Sequence, residues 1–204
     1  LSSEFGVHIL SGSAPVIEGD ITFNRAAFFA PNGAENHQDK QIMTRYERTP
    51  MDMASGGPLR LFDTEIGKIG ILICYDAEFP LLGRALREAD VILVPSCTEA
   101  LSGYWRVRIG AMARALEGQC ICVHSPAVGE GLGCPANGKS TGAAAIYGPP
   151  DLGFPETGVI AAGPMGEPGW VYGDVDLDAV SNVRSNGRVR NFAHWGEQTE
   201  RLKR

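Results

Sequence analysis

Cys74 is the residue whose type and position come closest to chemistry. It closes the apolar run Lys68-Ile69-Gly70-Ile71-Leu72-Ile73 and opens the turn Tyr75-Asp76-Ala77-Glu78-Phe79-Pro80. Unpaired backbone N–H groups at such a turn can lower a thiol pKa and can hold a developing oxyanion. A cysteine on an apolar strand can equally be a packed core residue, and position alone leaves both readings open. Lys40, between Asp39 and Gln41 after a hairpin turn, is either a cation for an anionic intermediate or a solvated strand-edge charge. Glu47, Glu78 and Glu99 are ordinary surface acids by type, although Glu78 shares the Cys74 turn and Glu99 follows a strand end. Tyr104, Trp105 and Glu99 could shape one wall of a pocket, but Trp105 fits a helix core face better. Cys120 and Cys122 share a strand face and read as core. Cys97 could line the same cleft but reads as packing, and Cys134 lies in a Gly-rich loop without an evident partner. The four histidines lack metal-ligand spacing, so neither a metal nor a cofactor is expected.

The elements that must position these groups follow from hydrophobic rhythm. Val7 to Gly12 reads as a short strand ending at glycine, and Ile21 to Ala30 as a longer one. Pro31-Asn32-Gly33 supplies a turn, because Asn-Gly tolerates positive φ, and the return strand should reach Lys40. Residues 50–58 form a loop. Lys68 to Cys74 is continuous enough for a strand covered on both faces. A helix should follow, with Pro80 in its first turn and Leu81, Leu82, Ala85, Leu86 and Ala89 on its apolar face. Val91 to Pro95 is a second buried strand. Trp105, Ile109, Met112 and Leu116 recur at helical spacing and predict a helix that packs this stripe on the core and stops at Gly118. Cys120 to Val123 is the third strand. This β-α-β-α-β order requires a parallel or mixed sheet, whose carboxyl edge is where ligands collect. Beyond a loop at 129–141, short strands are expected at Gly142–Tyr147, Val159–Ala162 and Trp170–Val175, then a polar tail from Arg184 to Trp195.

Composition narrows the class. The 204 residues, 44% hydrophobic and 21% charged, suit one α/β domain over 1–204 with no repeats or linkers. A net charge of -6 argues against a nucleic-acid partner. The apolar stretches are too short to span a bilayer, and no basic region followed by an apolar one opens the chain. Five cysteines without CxxC spacing fit a reducing, cytoplasmic setting better than a disulfide framework. The first residue is Leu1 rather than Met, which reads as a fragment.

The segment Gly67 to Pro80, with Cys-Tyr-Asp-x-x-Phe-Pro intact, resembles the nucleophile motif of the nitrilase superfamily of carbon–nitrogen hydrolases. Other stretches agree in order: Asn24-Arg25-Ala26-Ala27-Phe28 through Asn32-Gly33 to Lys40, then Val94-Pro95-Ser96, then Arg114-Ala115-Leu116-Glu117-Gly118-Gln119. The resemblance implies an α-β-β-α sandwich, a Glu-Lys-Cys site without cofactor or metal, and a homodimer or larger homo-oligomer. It makes Cys74 the nucleophile, Lys40 the anion stabiliser, Tyr75 the backbone oxyanion donor and Glu47 the second glutamate that many members place after the lysine. Glu99 and Tyr104 become candidates for substrate contact. The substrate would be a small amide or nitrile, amidase chemistry ranking first, cleaved through a thioester. The family's base glutamate lies in a region that would precede Leu1. The expectation is therefore an N-terminally truncated member, inactive as it stands. The competing reading is a non-catalytic subunit that keeps the sandwich for assembly.

Overall fold

The computed structural model describes residues 1–131 and 138–202. A short helix α1 (Ser2–Phe5) leads into a three-stranded antiparallel sheet of β1 (Ile9–Glu18), β2 (Ile21–Phe29) and β3 (Glu35–Asp39), ordered β1-β2-β3. Gly33 takes φ +84° in the turn before β3, as Asn-Gly predicts. β1 does not end at Gly12. That glycine takes φ +82° inside a register shift between Leu10 and Ser13, so the strand bulges there and pairs with β2 as far as Glu18.

After α2 (Arg45–Arg48) comes the larger sheet. It begins with β4 (Leu61–Thr64), which the sequence reading had not distinguished from loop, and β5 (Gly67–Ile71). A 3-10 turn (Cys74–Glu78) and α3 (Pro80–Ala85) lead to β6 (Val91–Ser96), α4 (Leu101–Gly118) and β7 (Ile121–Pro126). β8 (Gly129–Glu130) and β9 (Lys139–Ser140) pair with each other, and β10 (Ala145–Tyr147) and β11 (Val159–Ala162) complete the sheet. The order is β11-β10-β7-β6-β5-β4, with β5, β6 and β7 parallel and the flanking pairs antiparallel. No strand forms at 170–175. The supposed tail is partly helical, in α5 (Leu177–Asn186), α6 (Asn191–His194) and α7 (Glu197–Arg201). Gln119 explains the attachment: its amide donates to the carbonyls of Val183 and Val189 and accepts from the Phe192 N–H.

The two sheets face each other. Ala26 and Phe28 of β2 pack on Phe62, Ile69, Ile71 and Ile73, and α4 covers the opposite face of the large sheet through Val107, Ala111 and Ala115. These are three of the four layers of the expected α-β-β-α sandwich. α4 is rotated from its predicted orientation. Trp105, Ile109 and Leu116 are 45%, 63% and 40% exposed, whereas Tyr104, Val107, Ala111 and Ala115 are buried. The large apolar residues are helically spaced, but the small ones lie nearest the sheet, where they permit close packing. Leu81 is also exposed, and Leu86 and Ala89 alone of its predicted face are fully buried. Among the described residues no helix is long and apolar enough to cross a membrane.

Candidate active site

Cys74 lies just past the carboxyl end of β5 with φ +54°, a conformation that costs a residue bearing a β-carbon on the order of 1–3 kcal/mol. Neighbours hold the turn in place. The Asp76 carboxylate accepts the backbone N–H groups of Gln41 at 3.0 Å and Ile42 at 2.8 Å, which joins the turn to the segment after β3. From the other side Arg114 donates to the Ala77 carbonyl at 2.9 Å. Gly110 of α4 comes so close that a β-carbon there would sit 2.5 Å from the same oxygen. Asp76 makes the first pairing of the turn, its N–H to the Ile73 carbonyl, so the Tyr75 N–H precedes the helical ladder at its donor end.

Lys40 follows β3, and its backbone N–H donates to the Asn24 carbonyl of β2. Its side chain is buried, and Nζ donates to both oxygens of Glu47, at 2.7 and 2.6 Å. Glu47 is fixed in turn by a capping box: it accepts the N–H and hydroxyl of Thr44, and Thr44 caps α2. Asn24 donates a further bond to Glu47. Burial pushes the Glu47 carboxyl up, but the Lys40 ammonium and the Thr44 bonds outweigh it and leave it below the usual carboxylate range. Lys40, Thr44 and Asn24 thus all converge on the Glu47 carboxylate.

Cys74 departs from one expectation. Burial pushes its thiol above the ordinary cysteine value and outweighs the opposite pull of the Lys40 ammonium.

Cys74, Lys40 and Glu47 line one cavity of about 570 Å³ and an adjoining recess of about 370 Å³. Tyr75, Glu78, Glu99 and Arg106 line the larger cavity. Tyr104 does not reach it: the side chain is wholly buried, its ring stacks on His124 and its hydroxyl accepts from Arg108. Tyr104 thus takes the buried place expected of Trp105, while Trp105 is exposed on α4 and does not line the cavity, as the rotation of α4 requires. Cys97, read as packing, is exposed and lines both recesses, and its carbonyl lies 3.8 Å from the Cys74 sulfur. Cys120 and Cys122 are buried in the core, whereas Cys134 lies outside the described residues. Asp76, Thr44 and Asn24 escaped sequence reasoning as site residues. Only the Thr44-x-x-Glu47 box carried a local signal for its role.

Comparison with known proteins agrees with this fold. The carbon-nitrogen hydrolase family model matches residues 1–185. The chain is 37% identical over 194 residues to the probable hydrolase YhcX of Bacillus subtilis, covering 94% of this chain and 38% of that protein. It is 30% identical over 202 residues to the deaminated glutathione amidase of Synechocystis sp. PCC 6803, covering 90% of this chain and 70% of the relative. Its fold matches a carbon-nitrogen hydrolase from Helicobacter pylori G27 with a TM-score of 0.76 at 18% identity, over 100% of this chain and 73% of the other. The chain therefore spans well under half the length of the Bacillus protein and about two-thirds to three-quarters of the others. The nucleophile motif, the layered sheets and the family match converge: this chain belongs to the carbon–nitrogen hydrolase family of the nitrilase superfamily.

Proposed function

We propose that the protein hydrolyses the carbon–nitrogen bond of a small amide, with Cys74 as nucleophile. The observation that carries this reading is the convergence of Cys74, Lys40 and Glu47 on one cavity, with Lys40 clamped between both oxygens of Glu47. Cys74 Sγ attacks the amide carbon, and the tetrahedral oxyanion is held by the Lys40 ammonium and the Tyr75 N–H. Collapse expels ammonia or an amine, whose nitrogen takes the proton given up by the Cys74 thiol, and leaves a thioester that water cleaves to the acid and the free thiol. Glu47 is a positioning residue in this scheme, since its lone pairs are taken by Lys40, Thr44 and Asn24. Glu99, at the cavity wall, is offered as a substrate contact. The amidase among the relatives favours amide over nitrile. The exposed stripe Trp105, Ile109 and Leu116 on α4 supports assembly with a second copy of the chain.

The test is mass spectrometry of the full-length protein with simple amides, together with ammonia release, on wild type and on Cys74→Ala. A covalent adduct on Cys74 whose mass matches the acyl group, with stoichiometric ammonia, is the expected outcome. Acylation at Cys97 instead, or ammonia release undiminished in Cys74→Ala, would overturn the assignment. A chain that binds amides and never acylates would support the non-catalytic reading.

A further inference from the structure

The charges on the cavity wall are unevenly paired. Lys40 and Glu47 neutralise each other at hydrogen-bond distance deep in the site. Among the described residues, three charged groups remain on the wall: Glu78, Glu99 and Arg106. Two are negative and one positive, so the wall offers a surplus of one carboxylate.

The positive one is poorly placed to cancel Glu78. Arg106 Nε lies 3.5 Å from Glu78 Oε2, longer than a good charged hydrogen bond. The Arg106 side chain is 59% exposed, while that of Glu78 is 19% exposed. A pair of this kind contributes little, and a long flexible arginine can swing into water when another cation arrives. Glu99 makes no ion pair with any described residue. The remaining wall suits the linker and flank of a cationic substrate. Met51 and Met53 are apolar, and the half-exposed Tyr46 adds an aromatic ring, a group that attracts cations.

Geometry relates Glu78 to the reacting sulfur. Cys74 and Glu78 are the first and last residues of one 3-10 turn. At about 2.0 Å of rise per residue, their backbones lie roughly 8 Å apart along its axis. A chain of a few methylenes bridges an amide carbon at Cys74 and a cation at Glu78. We propose that the pocket selects amides bearing a positively charged group a few methylenes from the amide, and that Glu78 is the substrate-binding carboxylate that receives it. This rests on the amide-hydrolase reading for the position of the amide, but the charge selection can be measured without turnover.

The experiment is protection of Cys74 from iodoacetamide, read by peptide mass at low salt. Three amides with the same four-methylene chain serve as probes: 5-aminopentanamide (cationic), hexanamide (neutral) and adipamate (anionic). The cationic probe should protect at about ten-fold lower concentration than the neutral one, with the anionic probe weakest, as expected for a partly buried charge pair. Glu78→Gln should reduce the cationic-to-neutral ratio to about two-fold or less, and Glu78→Asp should retain most of it. Ratios taken within one variant are insensitive to its folded fraction. Equal protection by hexanamide, an unchanged ratio in Glu78→Gln, or no protection by any probe overturns the proposal. Acylation of Cys74 and ammonia release, followed in parallel, report on the hydrolase reading. Charge-ordered protection without acylation would sink that reading alone, and acylation without charge order would sink the selectivity alone.

Discussion

On one side of the Cys74 turn the Asp76 carboxylate takes the N–H groups of Gln41 and Ile42; on the other, α4 closes in through a glycine. The first contact is polar, long-range in sequence and titratable. Burial pushes the Asp76 carboxyl up to about 6, against the pull of those N–H groups and of the Lys40 charge. The second contact is mostly steric, and its principal requirement is that nothing project from position 110. The difference teaches how the site is divided. The polar contact sets Lys40 against Cys74, across two sheets, whereas the steric contact sets the turn against the helix layer. The first should govern chemistry and pH response, the second mainly stability.

Removing the polar contact should have the largest effect. Asp76→Ala leaves two N–H groups without their acceptor, each worth about 1–3 kcal/mol, so a loss of about 4 kcal/mol is expected in urea unfolding at about pH 4, where the Asp76 contribution is fully present. The Lys40 segment should also move, changing the alkylation rate of Cys74. A loss below about 1 kcal/mol, with that rate unchanged, would show that the polar contact does not hold the site.

The titration of Asp76 sharpens the comparison. Its folded pKa of about 6 lies above an unfolded value of about 3.9, so between them the folded chain keeps a proton that the unfolded chain has released. The Asp76 contribution is therefore fully present below about pH 4 and is lost as pH rises through about 6. Glu47 works in the opposite sense: its carboxyl is held low, so its contribution is present at neutral pH and is lost as pH falls through its depressed folded pKa. Asp76→Asn isolates the first. The stability of wild type relative to this variant should fall by up to about 3 kcal/mol between about pH 4 and pH 6.5. A flat difference across that window would assign the pH response to another group.

On the steric side, Gly110→Ala places a methyl group against the Ala77 carbonyl and should cost about 2 kcal/mol through overpacking. The loss should be the same at pH 5 and pH 7, because no titratable group is removed. A pH-dependent loss would mean that the helix and the Asp76 contact move as one unit.

These contacts also show how far the sequence could be read. That Cys74 and Lys40 share one cavity was legible because their neighbours form long ordered motifs, and the strands β5, β6 and β7 were legible because continuous apolar runs have few other uses. The partner of Lys40 was approachable, since Thr44-x-x-Glu47 is a local capping pattern. Asp76 stood inside the nucleophile motif, yet its partners lie 35 and 34 residues earlier, and no local spacing reveals a bond across two sheets. The face of α4 was misread for a different reason. Trp105, Ile109, Met112 and Leu116 make the strongest apolar period, but contact distance selects the small residues Gly110, Ala111 and Ala115. Hydrophobic periodicity finds the helix; the size of the side chains decides which stripe faces the sheet. The bulge at Gly12 was missed because glycine signals either a strand end or a kink within one, and only pairing with β2 distinguishes them.

The smallest effect tests whether the α4 contact is steric through and through. Arg114 is buried, donates to the Ala77 carbonyl and pairs with Glu117 through Nε and a second terminal nitrogen. Its aliphatic part also fills the space beside Gly83, where a β-carbon would lie 2.3 Å from Arg114 Cδ. Lysine keeps the charge and most of that packing but cannot serve both acceptors from a planar fork. Arg114→Lys should therefore cost about 1 kcal/mol, the worth of a single hydrogen bond, and leave Cys74 alkylation near its wild-type rate. If it costs as much as Asp76→Ala, the carbonyl of Ala77 depends on the guanidinium rather than on the close approach of Gly110. The turn would then be held by polar contacts on both sides, and the division between a chemical side and a steric side would fall.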